Sequence, residues 1–179
     1  MLKKTTVLIL VSIIAFSCSN TTKSAKEKAI SSITKLEQQC FNDSTNTYNN
    51  KIALKTIIEY QKFIEKYPKD SLSAKYLYMS GQLSKSINLY GESIHKFKSL
   101  IKKYPNFKKA ANAKFLIAMI YENDIKDTTK AKLAYKDFIN QYPQSDLVDD
   151  AKLSIKYMSL TPEELIKLFE EKNKKDSIR

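Results

Sequence analysis

Apolar and small residues recur at spacings of three and four along most of the chain. One series runs Tyr60, Phe63, Tyr67, a second Ser93, Phe97, Leu100, Tyr104, and a third Ala131, Tyr135, Phe138, Tyr142. That spacing lines up side chains on one stripe of an α-helix. Each series closes on nearly the same phrase, FIEKYP at 63–68, LIKKYP at 100–105 and FINQYP at 138–143, with Pro68, Pro105 and Pro143 spaced 37 and 38 residues apart. A proline disfavours the helical conformation in the residue before it, so the helices are predicted to stop near Tyr67, Tyr104 and Tyr142. The next helix is predicted to restart after a capping residue such as Ser71, Asn106 or Ser145. Reading forward from the prolines gives a second helix per unit, with Ala74, Leu77 and Gly81 in one, and Ala111, Ala113, Ile117, Ala118 and Tyr121 in the next. Polar turns are expected at 84–88 (SKSIN) and 122–130 (ENDIKDTTK). A helix-turn-helix unit with such a period predicts a solenoid, in which a unit buries its apolar face only when neighbours stack on it.

Composition agrees. The 179 residues hold only two glycines and four prolines, little material for hairpins, which favours long helices over sheets. The formal net charge of +12 raises nucleic acid, an anionic surface or acidic protein partners as possibilities. Most lysines, however, stand between apolar residues at helical spacing and read as a solvated helix face, so no nucleic-acid partner is expected. Association with anionic surfaces should be salt-sensitive.

The two ends carry their own signals. The start, MLKKTTVLILVSIIAFSCSN, sets the basic pair Lys3 and Lys4 before an apolar run from Val7 to Phe16 and then Ser17-Cys18. The run is about half the ~20 residues of a membrane-crossing helix, which points to a secretory signal. Ala15-Phe16-Ser17-Cys18 resembles the lipobox of bacterial lipoproteins, and that resemblance implies lipid on the sulfur of Cys18 as the mature N-terminus. Residues 18–25 then read as a flexible tether after a signal peptide at 1–17. Cys40 lies in an apolar series with Ile30, Ile33, Leu36 and Phe41 and is expected to be a small buried hydrophobe. A leading helix is predicted over about Lys26 to Phe41, joined to the first series through the polar stretch NDSTNTYNN. At the other end, Thr161-Pro162-Glu163-Glu164 combines an N-cap threonine, a proline at the first helical position and a glutamate three residues on. The helix it starts is expected to bury Leu165, Leu168 and Phe169 over the last repeat, with residues 173–179 as a frayed tail.

From Leu77 to Pro105 the chain resembles the tetratricopeptide repeat family: Leu77, Gly81, Tyr90, Ser93, Phe97, Leu100 and Pro105 fall at the family's spacing. Ile117, Ala118, Tyr121, Ala131, Tyr135, Phe138 and Pro143 repeat the pattern with one extra turn residue. The likeness spans roughly residues 50 to 158, and Thr56 stands where the family has alanine. FINQYPQSDLVDDAKLSI is similar to the Tyr-Pro-x-Ser form of the repeat in BamD-type outer-membrane assembly factors and Tol-Pal-associated periplasmic proteins. The resemblance implies an all-α tetratricopeptide-repeat helical solenoid of about three helix pairs plus C-terminal capping helices, over residues 26–172.

Catalytic chemistry finds no footing. His95 is the sole histidine, without a Cys, His or carboxylate cluster at ligand spacing, so no metal is expected. Asp149-Asp150 and Glu163-Glu164 point to different helix faces and suit helix N-termini better than paired acid and base. Gly81 and Gly91 alone cannot make a phosphate-cradling loop, and no nucleophile motif is present. Neither an enzyme, a cofactor nor a small-molecule substrate is expected. What remains is surface: the family resemblance implies a concave groove presenting Lys75, Tyr78 and Gln82, then Asn112, Phe115 and Met119, then Asp150, Leu153 and Tyr157. Such a mixture suits a peptide or helix. The expectation is a lipid-anchored periplasmic adaptor that binds another envelope protein, on the outer membrane rather than the inner and within outer-membrane protein assembly in its narrower form. The alternative is a binding protein for cell wall or glycan.

Overall fold

The structure, a computed structural model, describes residues 24–42 and 47–176. Cys18, the expected signal peptide and residues 18–23 of the expected tether lie outside these residues, as do 177–179, while residues 24 and 25 of that expected tether are helical. Eight helices appear among them: α1 (24–40), α2 (Asn50–Lys66), α3 (Ser71–Ser86), α4 (Tyr90–Lys103), α5 (Ala110–Met119), α6 (Thr128–Gln141), α7 (Val148–Tyr157) and α8 (Pro162–Asp176). Two two-residue strands, β1 (Phe41–Asn42) and β2 (Thr47–Tyr48), pair antiparallel between α1 and α2. The expected all-α repeat is therefore present, as three helix pairs (α1/α2, α3/α4, α5/α6) followed by α7 and α8. The chain divides at Ser73/Ala74 into two compact units.

The three Tyr-Pro junctions share one backbone geometry. Tyr67, Tyr104 and Tyr142 cap α2, α4 and α6 at φ/ψ of −129°/56°, −133°/60° and −130°/58°. Each still donates its N–H to the carbonyl four residues back, Phe63, Leu100 and Phe138. Each tyrosine carbonyl then accepts from the residue three ahead, Asp70, Phe107 and Ser145, all at 3.0 Å, and those carbonyls accept in turn from Ser73, Ala110 and Val148. The proline removes one donor and forces its predecessor out of the helical region, and this two-step turn uses the carbonyls left over.

Those turns also correct the expected caps. α3 is capped by Asp70, whose carboxylate accepts from the N–H of Leu72 at 2.9 Å, while Ser71 already belongs to the helix. α5 and α7 begin after Lys109 and Leu147 with no side-chain cap, so Asn106 does not serve α5, and the Ser145 hydroxyl accepts only from the N–H of Leu147, at 3.3 Å, before α7 begins.

In the first unit, Asn49 caps α2 through the N–H of Ile52. Ile33, Cys40, Ala53, Thr56, Tyr60, Phe63 and Ile64 are buried. Thr56, the departure from the family's alanine, donates to the carbonyl of Ile52 at 2.9 Å and lies 3.1 Å from the sulfur of Cys40, so its hydroxyl is satisfied in the core. Cys40 is buried as expected, and burial pushes its thiol above the ordinary thiol range. Phe41 is half out of the core and stacks edge-on against Tyr48 at 5.1 Å. Tyr60 donates to Glu37 of α1 at 2.7 Å.

In the second unit, α3 and α4 approach closely at Gly81. The hydroxyl of Ser93 donates to the Gly81 carbonyl at 2.7 Å, and the ring of Phe97 lies over the missing Cβ. The α3–α4 connection comes later than expected, since Ser84 is buried within α3. Asn88 sits at φ 62°, Leu89 donates to Ser84 and Asn88 to Lys85, a left-handed C-terminal cap of the Schellman kind. The α5–α6 connection repeats this with one residue more. Ile120–Asp124 widens into a π-turn, Ile125 donates to Ile120, Asp127 to Tyr121, and Lys126 takes the left-handed position at φ 63°. This turn absorbs the residue that makes Ala118 to Ala131 one step longer than Gly81 to Ser93.

The core between α5, α6 and α7 is built from Phe115, Ala118, Tyr135, Phe138 and Ala151. Phe115 meets the rings of Tyr135 and Phe138 edge-on, both at 5.4 Å. Burying side chains of this size is worth about 1.5–3 kcal/mol each, which is what stacking one pair on the next supplies. α8 opens on a reciprocal capping box, as predicted: Thr161 N–H donates to Glu164 Oε2 at 2.8 Å and Glu164 N–H to Thr161 Oγ1 at 3.2 Å. The expected burial by α8 is not found. Leu165 and Leu168 are only partly buried and Phe169 is exposed, its ring 6.1 Å from that of Tyr157.

Candidate functional site

Each expected groove position recurs at a fixed distance from the proline before it. Lys75, Asn112 and Asp150 stand seven residues on, Tyr78, Phe115 and Leu153 ten, and Gln82, Met119 and Tyr157 fourteen. They map onto α3, α5 and α7 respectively. Lys75, Gln82, Asp150 and Leu153 are exposed, and Asn112, Met119 and Tyr157 are partly buried.

Tyr78 and Phe115 are not presented to a partner, which corrects the expectation. Tyr78 packs against Phe97 and Phe107, at 5.7 and 6.2 Å between centroids, and its hydroxyl donates to Asn112, tying α3 to α5. Burial raises its hydroxyl pKa. Phe115 belongs to the α5–α6–α7 core. Both rings fill the step onto the following helix pair. Leu153, at the same offset on α7, keeps 45 % of its surface. The exposed members are thus the polar Lys75 and Gln82 on α3 and Asp150 with the apolar Leu153 on α7, and Asn112 and Met119 of α5 are partly buried.

The helix ends around this face are electrostatically ordinary. Asp149 and Asp150 lie in the first turn of α7, where carboxylates favour the N-terminal dipole, and Glu163 and Glu164 do the same for α8. His95 is exposed on α4. Among the described residues, no three His, Cys, Asp or Glu side chains gather as metal ligands, and no helix is long and apolar enough to cross a membrane. Tyr135 donates to Glu122 at 2.6 Å, and burial together with that carboxylate pushes its pKa far above the ordinary tyrosine range. This is the pairing of Tyr60 with Glu37 repeated, and its role is to tie two helices together.

The sequence pattern did not single out a cavity of about 620 Å³ on the other side of α5. It is lined by the apolar side chains of Ile101 of α4, Ile117 of α5 and Leu133 and Ala134 of α6, by Lys98, Lys102, Lys114 and Lys130, and by Asp137, Tyr121 and Gln141. The signal was present as lysines one turn apart on α4, which resemble any solvated helix face until α6 is placed beside them.

The tetratricopeptide repeat family model matches residues 112–145, the segment from α5 through the π-turn and α6 to the Tyr142-Pro143 junction. No curated protein matches the chain in sequence. The match and the fold together support a tetratricopeptide-repeat protein, an all-α helical repeat of a class that typically serves as a non-enzymatic scaffold for protein partners.

Proposed function

We propose that this chain is a non-catalytic, lipid-anchored adaptor of a Gram-negative cell envelope that faces the periplasm and binds another envelope protein. The observation that supports the binding reading is that exposed side chains stand at one offset on two repeat helices, Lys75 on α3 and Asp150 on α7, each seven residues after its proline, with the partly buried Asn112 at the same offset on α5 between them. A side chain repeated at a fixed step along stacked helices can follow an extended or helical partner over several contacts. The anchor reading is supported by the basic pair, short apolar run and Ser17-Cys18 at the start of the sequence. Its narrower form, a part in outer-membrane protein assembly, is supported by the likeness of the Tyr-Pro-x-Ser phrase alone.

The test is crosslinking of the tagged protein in intact cells, followed by mass spectrometry of the membrane fraction. Tyr78 and Phe115 are core residues, so the informative variant is Lys75→Glu with Gln82→Ala and Asp150→Lys, all exposed. It is expected to lose the crosslinked partner at least tenfold while its circular dichroism is unchanged; undiminished capture refutes the face. β-Barrel assembly components among the partners would support the narrower form. Cys18→Ser is expected to leave the protein unprocessed and unlipidated, and processing identical to wild type refutes the anchor.

A further inference from the structure

The lysine-rimmed cavity between α4, α5 and α6 is independent of the face just described. On α5, Lys114 and Ile117 lie two residues on from Asn112 and Phe115, a rotation of about 200° that puts the two surfaces on opposite sides of one helix. The volume of about 620 Å³ is that of a ligand pocket, which typically spans about 300–1,000 Å³.

The charges divide unevenly. Lys114 is ion-paired with Asp137, and Lys130 with Asp127 at 2.8 Å while also lying 5.9 Å from the Tyr121 ring centroid. Lys98 and Lys102 are exposed and have no acidic partner among the described residues. They stand four apart on α4, an arrangement of like charges that costs a few tenths of a kcal/mol in a helix. Between them Ile101 turns into the cavity, and across it Leu133 leaves 61 % of its surface exposed. Two cations without an ion-pair partner therefore border an apolar lining whose one carboxylate, Asp137, is paired with Lys114.

We propose that this cavity binds an extended acidic segment of a partner protein in which acidic and large apolar residues alternate. In an extended strand, side chains two apart share a face and are separated by about 6.6 Å. Lysines one helical turn apart are separated by about 5–6 Å at Cβ and have flexible stems to reach the remainder. Two carboxylates at i and i+2 thus meet Lys98 and Lys102 on α4, while the intervening Leu or Phe, on the strand's other face, turns across the cavity to Leu133 of α6. An amphiphile whose headgroup carries a single charge would neutralise only one of the two lysines. The chain itself offers no segment in which two acidic residues flank a large apolar one, and its net charge of +12 disfavours a second copy.

The test is a titration of the methyl-labelled full chain with an array of hexapeptides that alternate Asp or Glu with Leu or Phe, read by NMR. Shifts are expected at the methyls of Ile101, Ile117 and Leu133, with saturable binding that weakens at least tenfold on raising salt to about 1 M, where screening acts over ~3 Å. Lys98→Glu with Lys102→Glu is expected to weaken binding at least tenfold and Leu133→Ser about fivefold; all three residues are exposed, and circular dichroism checks each fold. Equal binding by peptides carrying Asn or Gln, equal binding by the charge-reversed variant, or no shift with any peptide overturns the proposal. So does perturbation by phosphatidylglycerol vesicles alone, which would assign the site to a lipid headgroup.

Discussion

Replacing Gly81 with alanine tests whether the α3–α4 contact is as close as the structure has it. An added Cβ would stand 2.6, 2.8 and 2.9 Å from Cε1, Cδ1 and Cζ of Phe97, a ring with no exposed surface. Ordinary carbon contacts are about 3.5–4.0 Å, so the ring or α4 must yield by roughly 1 Å. The ring is hemmed in by Tyr78, and moving α4 stretches the 2.7 Å bond from Ser93 to the Gly81 carbonyl. Overpacking of this kind costs about 1–3 kcal/mol and the hydrogen bond about 1 kcal/mol more. Against this, alanine in place of glycine in a helix interior returns about 1 kcal/mol. The expected outcome is a net loss of about 1–3 kcal/mol, a fall in melting temperature of roughly 2–12 °C for a domain of this size. Guanidinium denaturation followed by circular dichroism measures it. The added change Phe97→Leu should make Gly81→Ala less costly by at least about 1 kcal/mol, because the two side chains share one space. If Gly81→Ala alone is neutral or stabilising, helix propensity has won and the close approach is refuted.

Two further outcomes concern stability. Lys126→Gly should stabilise the protein by about 0.5–1 kcal/mol, since a left-handed lysine costs about 1–2 kcal/mol and the added chain entropy of glycine offsets part of the relief. Asn88→Gly should gain less, because asparagine tolerates that region and Asn88 also accepts from the Tyr90 hydroxyl; a larger gain at 88 than at 126 refutes the reasoning. In alkali, Tyr135, Tyr78 and Tyr142 are held protonated in the folded state above their ordinary value of 10.0, foremost by burial. Their contribution is therefore complete below about pH 10 and is lost as pH rises through the folded-state values. The urea midpoint should fall above that pH, and Tyr135→Phe should flatten the fall; an unchanged slope refutes the assignment to Tyr135.

The helix stops were legible because proline acts on its immediate neighbour, and Tyr67, Tyr104 and Tyr142 end their helices where it dictates. The buried stripe was equally readable: Tyr60, Phe97 and Tyr135 recur at one offset and are all buried. Turn chemistry was less so. Ser84 looks like a loop residue, yet it is small and polar where α3 needs only smallness, and the helix runs past it to Ser86. The caps were misplaced because the tyrosine carbonyls consume the turn before any serine or asparagine side chain is needed. At the expected groove, Tyr78 and Phe115 are buried instead of facing a partner, since an aromatic at that step serves whichever surface arrives first, and the following helix is tethered only a few residues away.

The junctions at Tyr104 and Tyr142 have a bearing on how the fold comes apart. Every backbone hydrogen bond that closes them joins residues within a few positions of each other, so none has to be broken elsewhere when one helix pair parts from the next. Only side-chain contacts resist that separation. A chain pulled from its ends should consequently lengthen in discrete steps of about one helix pair, and its folding can nucleate within any pair without first closing a long loop.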